Sequence, residues 1–132
     1  MKRAVTCLGA AALLAGCGAD PDPWQAAALS AADAPLGAQT QVAGFDAEVD
    51  ENCMAGPVPV IEIVQQGALG TASVGASSRT ITDEGGACDG STVPQAALFY
   101  EGASAGIDTV LVREMRGGAR PDVLHATKIR VR

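Results

Sequence analysis

After Thr40 the chain is a succession of short β-branched runs separated by glycine, and that punctuation limits the fold more than any other feature. Glycine admits tight turns between the runs, and Val/Ile-rich runs of this length pack as strands, so the pattern predicts an all-β domain. Residues 58–65 are rich in Val and Ile with Glu62 as the only charge, the composition of a buried strand. Residues 70–75 and 79–82 are shorter candidates split by Ala76-Ser77-Ser78, and residues 93–101 carry Leu98, Phe99 and Tyr100. Residues 108–115 and 123–131 flank a turn containing Gly117 and Gly118 and predict a hairpin. In its second strand Val123, His125, Thr127, Ile129 and Val131 alternate with Leu124, Ala126, Lys128, Arg130 and Arg132, a period of two that places the charges on one face. Six or seven short strands, 16 glycines and few aromatics favour a small antiparallel β-sandwich with a thin aliphatic core over a closed barrel.

The start of the chain reads differently. Met1-Lys2-Arg3 precedes an almost uncharged run from Ala4 to Gly16, the order of an export signal. That run is too short for a permanent span, which needs about 20 residues. Leu14-Ala15-Gly16-Cys17 resembles the lipobox of bacterial lipoproteins, in which the cysteine sulfur receives a diacylglyceryl group, the peptide is cut before it and the new amine is acylated. The resemblance implies a signal peptide over 1–16, lipidation at Cys17, a lipidated N-terminus and flexible tether over 17–40, and a sandwich domain over 41–132. It also implies a periplasm-facing protein held to a membrane by its lipid. Gly18 stands where some bacteria place an inner-membrane retention Asp, which favours the outer membrane. Within the tether, Trp24 is the lone aromatic, and residues 25–32 have helix formers for at most about two turns, marginal alone.

Cys7 leaves with the signal and Cys17 carries lipid, so Cys53 and Cys88 remain. In an oxidising compartment such a pair reads as a disulfide, and the alternative, two free thiols or half a metal site, lacks zinc-ligand spacing.

Charge is uneven along the mature chain. Residues 17–110 hold one basic and 13 acidic residues, whereas 111–132 hold six basic and two acidic. The acidic excess argues against nucleic-acid partners. The six cations, Arg113, Arg116, Arg120, Lys128, Arg130 and Arg132, either pair with acidic neighbours and guard an edge strand, or form a docking surface for an acidic protein or a glycan. Asp46, Glu48, Asp50 and Glu51, and again Asp83, Glu84 and Asp89, lack the ligand rhythm of a calcium loop and read as a solvated face, so no metal and no cofactor is expected.

Ala97-Leu98-Phe99-Tyr100-Glu101, a loop ending Gly106-Ile107-Asp108, then Thr109-Val110-Leu111-Val112 and a closing strand Ile129-Arg130-Val131 resemble the last three strands of bacterial immunoglobulin-like and cadherin-like repeats, over residues 57–132. The resemblance implies an immunoglobulin-like sandwich used for adhesion, spacing or protein contact, with no active site. Calcium binding is not carried over, because Arg116-Gly117-Gly118 replaces the Asp-Gly turn that often supplies ligands.

Two patterns invite a catalytic reading. Gly102-Ala103-Ser104-Ala105-Gly106 spells the nucleophile-elbow motif, with Asp122 and His125 following in order, but the elbow needs a helix after the serine and the next residues read as a strand. His125 is the only histidine, and its place on the apolar face makes it a half-buried packing residue. The expectation is therefore a non-catalytic binding or structural domain. An inhibitor-type lipoprotein, presenting residues 76–90 as a rigid loop against a hydrolase, is the alternative; a small hydrolase is not supported.

Overall fold

The computed structural model describes residues 27–132. Cys7, Cys17, Trp24 and the signal segment 1–16 lie outside them. Seven strands form two packed sheets, β1 (Ala28–Ala34), β2 (Gln39–Asp46), β3 (Val60–Gln65), β4 (Gly70–Thr80), β5 (Thr92–Gly102), β6 (Gly106–Met115) and β7 (Val123–Val131), and the described residues include no helix. One sheet has the order β1-β7-β6-β3 and the other β2-β5-β4. Lettered A to G, these are the B-E-D and C-F-G sets of an immunoglobulin-like sandwich, with strand A moved beside G. Every pairing is antiparallel except β1 with β7, which is parallel from Ala28↔His125 to Ala34↔Val131.

The core lies between the sheets. Phe45 from β2, Leu98 and Tyr100 from β5, Val110 and Val112 from β6, and Ile129 and Val131 from β7 interdigitate there, with Ile61 from β3. In β7 the alternation read from the sequence holds, with Thr127, Ile129 and Val131 inside and Lys128 and Arg130 outside. Fully burying one Val, Leu or Ile side chain stabilises by about 1.5–3 kcal/mol, so this handful of aliphatic residues is the principal attractive term.

Four expectations are corrected. The sandwich begins at Ala28, so residues 28–40 belong to it, and the part of the expected tether before residue 27 lies outside the described residues. The helix-forming run Ala31-Ala32 and its neighbours is a strand, because the backbone groups along the open side of β7 pair it, and that tertiary pairing outweighs a weak local propensity. Residues 70–82 are not two strands: Ala76-Ser77-Ser78 pair in register with Ala96, Gln95 and Pro94, making β4 continuous for 11 residues. Finally, β3 is an edge strand with only Ile61 buried, so its Val-rich composition reflects one inward face and not burial on both.

Candidate functional site

Strand directions sort the loops. Residues 47–59, 81–91 and 116–122 meet at one end of the sandwich, and because β1 runs parallel to β7, Ala28 enters at that same end. The Cys53–Cys88 disulfide joins the first two loops across a sequence separation of 35, as the sequence predicts. Cys53 sits in a tight turn with φ 63°. Its turn is held by Asp50, whose carboxylate accepts the Asn52 and Met54 backbone N–H groups at 2.9 Å each, while the Asp50 carbonyl accepts the Cys53 N–H at 3.0 Å. These contacts offset the roughly 1–2 kcal/mol cost of a left-handed non-glycine residue. The second loop is closed by the Ile81 N–H on the Ser91 carbonyl and the Gly90 N–H on the Ile81 carbonyl. Arg120 pairs with Glu48, tying the third loop to the first. Glu48, Asp50, Glu51, Asp83, Glu84 and Asp89 make this end acidic, and Met54 stands exposed on it.

The six basic residues do not form one strip. Arg113, on β6, pairs with Glu62 of the adjacent β3. Arg116 and Arg120 lie in the 116–122 loop, where Arg120 also donates to the Arg116 carbonyl at 3.0 Å. Arg130 and Arg132 both hold Asp33 of β1, at 3.0 and 3.1 Å. The hydrogen bond from the Arg130 guanidinium is the largest influence on the Asp33 carboxyl; loss of hydration opposes it, and the charges of Arg130 and Arg132 add to it, leaving the group below the usual carboxylate range. Among the described residues Lys128 alone of the six has neither an ion pair nor a side-chain hydrogen bond. It borders an open groove with Leu29, Ser30, Ala31, Thr109 and Ala126. Pairing with acidic neighbours thus holds for Arg113, Arg120, Arg130 and Arg132, but edge protection of β7 does not, since β1 covers it.

The opposite end is formed by turns 35–38, 66–69 and 103–105, none of which carries a charge. Its organiser is Asp108, 5% exposed, at the start of β6. The carboxylate accepts the Tyr100 hydroxyl at 2.6 Å, the Ala68 N–H at 2.8 Å, the Leu69 N–H at 2.9 Å and its neighbour Thr109 N–H at 2.9 Å. Burial pushes the Asp108 carboxyl up, but the four hydrogen bonds together outweigh it and leave the group below its ordinary value. Tyr100 is pushed strongly up, by burial first and then by the bond to Asp108. Both groups are therefore fixed at neutral pH, one charged and one neutral, which is the signature of a structural hub. Sequence reading names Asp108 only as part of a corner; the available signal was an acid sharing the inward parity of Val110 and Val112.

A second polar network crosses the outer face of the β2-β5-β4 sheet. Ser77 donates to Gln41 at 2.9 Å, Gln41 to Gln95 at 2.7 Å, and Gln95 to Asp46 at 2.6 Å, where Arg79 also binds at 2.7 Å. Gln95 lies flat over Gly44, where a Cβ would come within 2.7 Å of its amide. The Asp46 carboxyl is held down by Arg79 foremost, against burial, with Gln95 adding to it.

The elbow pentapeptide is a hairpin turn between β5 and β6, and it puts Ser104 at the end of the sandwich away from Asp122 and His125. His125 is half-buried, 4.9 Å centroid to centroid from Phe45 and 2.9 Å from Glu114. Among the described residues no three His, Cys, Asp or Glu side chains converge to hold a metal. The arrangement offers surfaces and rigid loops. No protein-family model and no curated protein matches the chain. A solution structure titled as that of amebosin overlays with a TM-score of 0.33 at 9% identity, covering 80% of this chain and 98% of that one, too distant to carry fold or function across.

Proposed function

We propose that the protein is a lipid-anchored, periplasm-facing lipoprotein of the outer membrane whose sandwich is a non-catalytic binding or structural module. The observation that carries this reading is the tetrapeptide Leu14-Ala15-Gly16-Cys17 after a basic start and an apolar run. The start of β1 supports it: residues 18–27 separate Cys17 from Ala28 and reach at most about 35 Å when extended. The disulfide supports an oxidising compartment. An anchor at Cys17 would put the disulfide-linked loops nearest the membrane and turn the end formed by turns 35–38, 66–69 and 103–105 outward. That placement weighs against an inhibitor that presents residues 76–90 to a target. The groove beside Lys128, with Leu29 80% exposed, is the part of the predicted basic surface left open for an acidic protein or a glycan.

The test is intact-mass spectrometry of the protein purified from bacterial membranes, beside Cys17→Ala. Diacylglyceryl and acyl mass on a chain beginning at Cys17, lost in the variant together with membrane association, is expected. An unmodified chain still beginning at Met1 in the soluble fraction would overturn the reading.

A further inference from the structure

Exposed sheet edges invite pairing with other chains, and proteins blunt them with bulges, proline, charge or short length. Three of the four edges here are blunted in that way. Strand β1 has seven residues, carries Asp33 and ends at Ala34 just before Pro35. Strand β2 is bulged between Gln41 and Ala43, and β3 is bulged between Ile63 and Gln65, carries Glu62 and follows Pro57 and Pro59.

Strand β4 is different. It is 11 residues long, pairs with β5 without any register shift, has no proline, and bears a single charge, Arg79. Its open side is capped at one place only among the described residues. The Gln66 side chain acts as a surrogate peptide, donating to the Ala72 carbonyl and accepting the Ala72 N–H, both at 2.9 Å. Those bonds show that Ala72 turns its backbone groups away from β5. By the alternation of an antiparallel ladder Val74, Ala76, Ser78 and Thr80 turn theirs the same way. All four are exposed, Val74 at 42% although its side chain shares the inward parity of Ala72 and Leu98.

We propose that the free part of this edge, residues 74–80, pairs antiparallel with the same segment of a second copy of the chain, extending β2-β5-β4 into a continuous six-stranded sheet across a two-fold axis. The segment Val74-Gly75-Ala76-Ser77-Ser78-Arg79-Thr80 is self-complementary. Centred on Ser77, Val74 faces Thr80, Ala76 faces Ser78, and Arg79 faces Gly75, so no like charges are opposed. The same register stops short of Ala72, which leaves the Gln66 cap in place on both copies. In this register one copy's Thr80 lies level with its partner's Val74, so the two Thr80 ends point in opposite directions about 20 Å apart along the strands, and the two Ala28 ends point oppositely as well. Residues 18–27 on each copy are long enough to reach one membrane from a sheet lying along it, although the pairing itself needs no anchor.

The experiment is sedimentation velocity on the full chain, in density-matched detergent, from 1 to 200 μM, for wild type, Ala76→Pro and Val74→Lys, with circular dichroism to confirm each fold. Proline at 76 removes an N–H that β5 does not use, so the monomer should keep its sheet, and Val74→Lys keeps that N–H while placing a charge at the seam. A concentration-dependent dimer whose dissociation constant rises at least tenfold in both folded variants is expected. A monomer throughout the range, or a dimer indifferent to both substitutions, overturns the proposal. If Ala76→Pro fails to fold, Val74→Lys decides alone. These outcomes are independent of whether Cys17 carries lipid.

Discussion

Asp108 is the buried carboxylate of the described core, and its four hydrogen bonds determine what it does for stability. Hydrogen bonds to a charged group contribute about 1.5–3 kcal/mol each at most, and an amide in its place would turn an NH2 toward backbone donors. Asp108→Asn should therefore lower the unfolding free energy by roughly 2–4 kcal/mol at pH 7 in urea titrations. The pH dependence has a fixed sign. The folded carboxyl lies below its ordinary value of 3.8, so its stabilisation is complete above that value and is lost as pH falls through the lower, folded one. Wild type should lose stability steeply below pH 4, and Asp108→Asn should show a shallower acid limb; identical limbs would remove Asp108 from this role. Gly67 makes a second test of the same hub. A Cβ there would come within 2.2 Å of the Asp108 carboxylate, so Gly67→Ala should cost about 1–3 kcal/mol, read as a lower urea midpoint at unchanged slope.

Among the elements, the longest spans without regular structure are the ones the disulfide holds. Residues 47–59 and 81–91 contribute little to the core apart from Ala47, and Cys53–Cys88 closes a loop worth about 4 kcal/mol in the chain-entropy account. Reduction, or a Cys53→Ser/Cys88→Ser double variant, should lower stability by about 3–4 kcal/mol. It should also raise amide exchange first at Asn52, Met54 and Ser91, while the β4–β5 and β6–β7 ladders keep their protection; uniform acceleration would show that the crosslink supports the whole sandwich equally. The same elements show what the sequence could disclose. Strand β7 was legible to its exact bounds because strict alternation of apolar and charged residues sets both its type and its face. The cysteine pair was legible because Cys53 and Cys88 are the two cysteines that follow the lipobox-like N-terminal segment. Strand β1 was hidden, since Ala-rich residues state no strand preference and their pairing partner lies 97 residues on, from Ala28 to His125. The unity of β4 was hidden by Ala76-Ser77-Ser78, whose small side chains look like a turn but fit beside Ala96 and Gln95. The Asp108 hub depends on N–H groups about 40 residues away, which no local pattern reports.

At the scale of the whole molecule, charge is sorted along the long axis. The end where Ala28 enters carries Glu48, Asp50, Glu51, Asp83, Glu84 and Asp89, while the turns at the other end carry none. If lipid at Cys17 anchors the chain, an acidic end next to anionic headgroups is repelled within a Debye length of about 8 Å at physiological salt, so the tether works against that repulsion and holds the domain off the surface. The two ends then differ in height above the bilayer by up to the length of the sandwich, and energy transfer can read the difference. A fluorophore encoded in place of Glu84, in the loop near the tether, or in place of Ser104, in the opposite turn, should transfer to an acceptor in vesicles carrying the lipidated protein. In neutral vesicles carrying the protein too sparsely for pairing through β4, transfer from position 84 should exceed that from 104. The gap should narrow in anionic vesicles at low salt, as repulsion tilts or lifts the acidic end, and be restored by about 0.5 M salt. Equal transfer from both positions under every condition would mean the sandwich lies along the membrane, the posture that pairing through β4 requires of two anchored copies. The experiment therefore also separates an upright monomer from a recumbent pair.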